Sequence, residues 1–166
     1  MPRDSKRERS KEVMRREFDQ KVVEIKRVTR VVAGGKRMRF RALVVVGDKK
    51  GKVGMGLRKG VDVAEAVNKA VSAAKKNMVT VPLVNDTIPH LVKMKYKSSR
   101  ILLMPARPGT GIIAGGALRS VLDLAGVKNI LSKMLGSSNK VNNVKAVFEA
   151  FKKMKSREEI KLRRAS

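Results

Sequence analysis

The chain has 166 residues, 42% of them hydrophobic, which suffices for one packed domain or two small ones and is too much for a disordered protein. Its 40 Lys and Arg against 14 Asp and Glu give a formal charge of +26, which repels itself unless a polyanion neutralises it, so nucleic acid is the obvious partner. No apolar run is long enough to cross a bilayer or act as a signal sequence, so a soluble, unexported protein with no membrane partner is expected, and the lack of Cys excludes disulfides and thiolate metal sites.

Residues 1–20 mix seven Lys or Arg with five Asp or Glu, and read equally as a mobile basic tail or as a solvated helix laced with opposite charges. From Lys21 to Ala33 the chain alternates like a strand, and Gly34-Gly35 closes it as a tight turn. Gly34 to Gly60 then reads as a basic hairpin. Met38, Phe40, Ala42, Val44 and Val46 alternate with Arg39, Arg41, Leu43 and Val45, the period of two that turns one set toward a core and the other away. Gly47 to Gly51 is a turn by composition, and Lys52 to Leu57 is the third strand. On that strand Gly54 and Gly56 share a face, leaving bare backbone for the close approach of a helix or another chain.

Asp62 and Glu65 form a capping pair for a helix whose Val63, Ala66, Val67, Ala70, Val71 and Ala74 make one apolar face, suited to packing on a three-stranded sheet. Val79 to Val84 reads as a short strand, and Asn85-Asp86 as a turn between two units. Beyond it, Thr87 to Tyr96 and Arg100 to Ala106 are expected strands. The Gly-rich Pro105 to Gly116 then opens a helix that Gly126 stops. Val127 to Leu135 is another strand, and Gly136 to Asn139 caps a last helix with Val144, Val147, Phe148 and Phe151 as its buried stripe. The expected fold is α+β, divided into a tail (1–20), a first domain (21–84), a second (85–155) and a basic tail (156–166), with Lys152 onward expected to fray.

Arg27, Thr29, Arg30, Gly34, Gly35, Lys36 and Arg37 surround one loop, a cluster of positive and hydrogen-bonding groups. Arg39 and Arg41 extend it along the strand, Lys49, Lys50 and Lys52 crowd the second turn, and Arg58 and Lys59 follow the third strand. Cations also keep exposed strands from pairing, but the overall charge favours RNA contact here. Only five aromatics are present, so the grip expected is on the phosphates, 2′-hydroxyls and shape of folded RNA rather than on stacked bases; duplex DNA stays open on charge alone.

The loop PGTGIIAGGA could hold an anion at a helix start, yet it lacks the Lys-Ser/Thr of a Walker loop and the GxGxxG spacing. Close packing is the favoured role for its glycines, with a small kinase-like enzyme as the alternative and a free-standing duplex-RNA regulator as another. His90 stands alone, and the carboxylates are scattered or cap helices, so no catalytic group, metal or cofactor is expected.

The runs GGKRMRFRALVVVGDKKGKVGMG, TIPH and GTGIIAGGALRSVLDLAGVKNILSKMLGSSN, in that order, resemble the family of bacterial small-subunit ribosomal protein five across roughly Val22 to Met154. The resemblance implies an N-terminal domain like double-stranded-RNA-binding domains, with one helix on its sheet. It also implies a C-terminal β-α-β-α two-layer sandwich shared with small-molecule kinases, without implying catalysis. It further implies a cytoplasmic protein of the small ribosomal subunit, bound to its rRNA, touching proteins four and eight near the channel where mRNA enters, and forming no homo-oligomer. Val28, Thr29 and Arg30 match the hairpin positions near the spectinomycin site, and Gly111 and Arg119 match the contact with protein four that influences decoding accuracy. Lys140 stands where the family often has Pro, and Leu57 to Gly60 is more basic than usual.

Overall fold

A computed structural model describes residues 18–155. The tail expected at 156–166 and most of that expected at 1–20 lie outside these residues. Two four-stranded sheets account for the strands. The first runs β1 (Asp19–Val32), β2 (Gly35–Gly47), β3 (Lys52–Gly60) and β4 (Met78–Thr80) in sequence order, all antiparallel. The second has the order β5-β6-β8-β7, formed by β5 (Val92–Tyr96), β6 (Ser99–Pro105), β7 (Ile112–Ile113) and β8 (Ile130–Leu135), with only the β7–β8 pair parallel.

Helix α1 (Val63–Lys76) lies on the first sheet. Its start follows the expected chemistry: Asp62 accepts the Ala64 N–H, and Glu65 Oε2 accepts the Val61 N–H at 2.6 Å. Small residues set how near it comes. A Cβ on Gly54, Gly56 or Gly60 would overlap the backbone of Ala74, Ala70 or Ala66, and those three alanines are fully buried with Ala42, Val44 and Val46. The bare backbone read on the third strand is thus a seat for α1.

The other face of the same strands is also buried. Leu43, Val45 and Val53 belong to the large core with Leu118, Val121 and Leu122 of α2 (Gly116–Ala125) and Phe148 and Phe151 of α3 (Lys140–Lys153). The expectation that Leu43 and Val45 point away from a core therefore fails. Hydrophobic runs without alternation mark strands covered on both sides, and Ala-Leu-Val-Val-Val at 42–46 is such a run. The halves are joined by backbone as well. Lys49 and Gly51, in the β2–β3 turn, donate their N–H groups to Leu124 O at 3.1 Å and Ala125 O at 3.0 Å, satisfying carbonyls that the end of α2 leaves open. Gly126 closes α2 at φ 84, in close contact with the carbonyl of Lys49.

Several bounds differ from those expected. Strand β1 starts at Asp19, and the β1–β2 turn is Ala33-Gly34, with Gly35 already paired to Val32. Strand β4 begins at Met78 and ends at Thr80, before Pro82, which has no N–H to give, and it is the first sheet's fourth strand. Thr87 to Leu91 is not strand; Pro89 interrupts it and β5 starts at Val92. Val127 to Asn129 precedes β8, and the Gly-rich loop contains the unexpected β7. At the far end Lys152 and Lys153 remain helical and Met154 is buried, so fraying does not begin at Lys152.

Candidate nucleic-acid interface

Strand β3 ends opposite Phe40, yet the β1–β2 pairing continues for five more register pairs, Val28↔Arg39 to Val32↔Gly35. A two-stranded ribbon of about 17 Å therefore projects beyond the sheet. Paired residues put their side chains on one face, so register assigns every cation. On the face continuous with Leu43 and Val45 lie Arg30 opposite Arg37, Arg39 opposite Val28, and the row Lys26, Arg41, Lys59 across three strands. The opposite face carries Arg27, Thr29 and Lys36 together with Val31, 74% exposed, and Met38, 54% exposed.

The first face is electrostatically unfavourable alone. Like charges set directly opposite each other weaken a strand pair, and Arg30 and Arg37 are so placed. Relief comes from one carboxylate: Glu24 lies 3.5 Å from Lys26 Nζ and 3.9 Å from Arg41, leaving Arg30, Arg37 and Arg39 with no ion pair among the described residues. Such a row of guanidinium groups on a protruding ribbon is suited to phosphate oxygens, which accept their fork of N–H donors. Lys26 was not among the residues singled out from sequence; its place opposite Arg41 is the signal that finds it.

The remaining candidates do not gather there. Lys49, Lys50 and Lys52 sit at the other end of β2, in the turn that joins the two halves, where Asp48 Oδ1 accepts the Lys50 N–H at 2.7 Å and the Lys52 N–H at 2.9 Å. Lys49 Nζ reaches Asp19 at 2.6 Å, and this bond raises its pKa above the ordinary value. Arg58 lies on the α1 side, in a shallow groove of about 380 Å³ with Asn68, Lys69, Ser72 and Lys76. Gly34 and Gly35 are exposed at the ribbon tip with open space around them.

Gly111, at φ 73, gives its N–H to Asn129 Oδ1 at 3.1 Å and takes the Ile130 N–H at 3.1 Å, while Arg119 is exposed on α2. In the Gly-rich loop, Gly115 is in tight contact with Met134, as a packing glycine would be, whereas Gly109, Gly111 and Gly116 have open space. Among the described residues no cluster of His, Cys, Asp or Glu could hold a metal ion, and no helix is long and apolar enough to cross a membrane.

Residues 18–82 match the family model for ribosomal protein S5, N-terminal domain, and residues 94–164 that for its C-terminal domain. Small ribosomal subunit protein uS5 of Thermotoga maritima is 50% identical over 144 residues, covering 87% of this chain and 81% of the relative. The protein of that name from Thermotoga petrophila is 49% identical over the same shares. Small ribosomal subunit protein uS5c of Spinacia oleracea is 52% identical over 146 residues, which are 87% of this chain and 47% of the relative. These are names of ribosomal components rather than of enzymes, and both domain families occur in order along one α+β chain. The chain belongs to the ribosomal protein S5 family, non-enzymatic proteins of the small ribosomal subunit.

Proposed function

We propose that the β1–β2 ribbon binds the phosphate backbone of folded small-subunit rRNA, so that the protein steadies that RNA within the subunit. The observation that carries this reading is the directly opposed pair Arg30 and Arg37, flanked by Arg39, all exposed on a ribbon that β3 does not reach. A polyanion between them turns repulsion into attraction. Arg27, Thr29, Lys36 and the backbone of Gly34 and Gly35 complete the contact, with Arg41 and Lys59 at its base. Lys49, Lys50, Lys52 and Arg58 offer further phosphate contacts from separate sides.

The resemblance to the family extends the proposal. Val28, Thr29 and Arg30 lie beside the rRNA helix that binds spectinomycin, and Gly111 and Arg119 face protein four, with protein eight a further neighbour. The chain then stands near the channel where mRNA enters and supports decoding accuracy. Residues 21–84 act as the RNA-binding domain and 85–155 as the α/β domain that meets neighbouring proteins.

The test is binding of the purified full chain to small-subunit rRNA across a salt series, with Arg30 and Arg37 both changed to Ala. The expected result is weaker binding and a slope against log salt reduced by about 2, since each phosphate contact adds roughly 0.9 for duplex nucleic acid. Unchanged affinity and slope would overturn the proposal.

A further inference from the structure

Between the two halves lies an open cleft of about 530 Å³, within the roughly 300–1,000 Å³ of cavities that enclose small ligands. Met55 of β3 and Lys76 at the end of α1 form one wall, and Tyr96 of β5 with Lys145, Phe148 and Lys152 of α3 form the other. Its charge is one-sided. Glu149 is held by Lys152 at 3.1 Å, Lys76 has no carboxylate partner among the described residues, and Lys145 Nζ lies 5.7 Å from the centroid of the Tyr96 ring. Tyr96 is the chain's sole Tyr and is half-buried, with apolar neighbours below and an ammonium group above. A ring and a cation presented together are what one nucleotide needs, the ring for its base and the cation for its phosphate.

We propose that this cleft holds a single unpaired nucleotide of the bound RNA, its base taking the place of the Lys145 ammonium group over Tyr96 and its phosphate held between Lys76 and the displaced Lys145. The proposal rests on the rRNA reading above but concerns a different surface, formed by both halves together. It adds one base contact to a chain whose scarce aromatics otherwise favour shape recognition. The Tyr96 ring beside these ammonium groups favours a nucleotide, and an acidic protein segment, which would also supply acceptors, is an outcome of the test.

The experiment uses small subunits assembled with the full chain carrying photoreactive p-benzoylphenylalanine in place of Tyr96. Irradiation should join the protein to one short stretch of rRNA, and adding Lys76→Ala and Lys145→Ala should cut that adduct at least tenfold. If the alanine variant does not assemble, Lys76→Arg with Lys145→Arg keeps the charge, and the adduct should persist. Particles that contain the probe but yield only protein adducts, or none, would overturn the proposal. So would an adduct unaffected by removing both charges, or lost in the Arg variant. Occupancy of the particles, measured separately on a gradient, reads the ribbon's role, so the two proposals fail in different ways.

Discussion

Strand β2 is one continuous strand with two different lives. From Ala42 to Gly47 every residue is buried, α1 covering one face and α2 the other; from Gly35 to Arg39 every residue is exposed and a single strand, β1, supports it. The buried end reads Ala-Leu-Val-Val-Val-Gly, and the exposed end, Gly-Lys-Arg-Met-Arg, carries three cations in five residues. Packing thus fixes one end so tightly that the other can carry repelling charges in a set geometry. Charged surface and packed scaffold are separated along the strand rather than mixed across it.

Changes at the buried end should be the most damaging. Gly56→Val puts a branched side chain where the backbone of Ala70 already lies, so it should cost at least ~4 kcal/mol, seen as loss of soluble folded protein or a collapsed urea midpoint. Leu43→Ala removes a fully buried side chain at the shared core and should cost about 2–5 kcal/mol, with one cooperative transition for both halves. Two separate transitions would instead mean that the halves are not coupled through this core. At the exposed end, Arg30→Ala with Arg37→Ala should leave the folded state within about 0.5 kcal/mol of its original stability while weakening RNA binding. A large loss of stability there would erase the contrast.

The smallest effect is expected at the start of α1. The bond from Lys69 first, and the Val61 N–H second, hold the Glu65 carboxyl below its ordinary value of 4.5. Its contribution is present above that value and fades as pH falls through the lower folded-state pKa. Glu65→Gln should therefore lower the melting temperature slightly at neutral pH and leave it unchanged in strong acid.

Much of this was legible in the residues because local rules governed it. Asp62 and Gly126 mark helix ends by their own chemistry, and alternation from Met38 to Arg41 marks a strand, although Met38, in the set expected to face a core, is 54% exposed. What was not legible depends on distant partners. Nothing near Leu43 says that α2 will cover it, and β7 exists because Ile112 and Ile113 lie beside β8. The cations were easy to find and hard to sort. A bulge between Val22 and Glu24 shifts the register of β1 by one, so that Lys26 rather than Ile25 faces Arg41, with Glu24 in reach of both. Likewise Lys49 looks like any loop lysine until Asp19 and the end of α2 meet it. The Tyr96 cleft combines residues from both halves and leaves no pattern in either.

The β2–β3 turn also bears on the order in which the chain matures. The carbonyls at the end of α2 find their donors in Lys49 and Gly51, which leave the synthesising ribosome well before the helix does. The first hairpin is thus a template waiting for the helix, and α2 completes its end only on arrival. A chain cut off before Gly116 would leave that template unmatched and the Leu43 side of the sheet in water, a species prone to association. Production of this protein therefore favours finishing each copy once begun, since its early half exposes a surface that only its late half can cover.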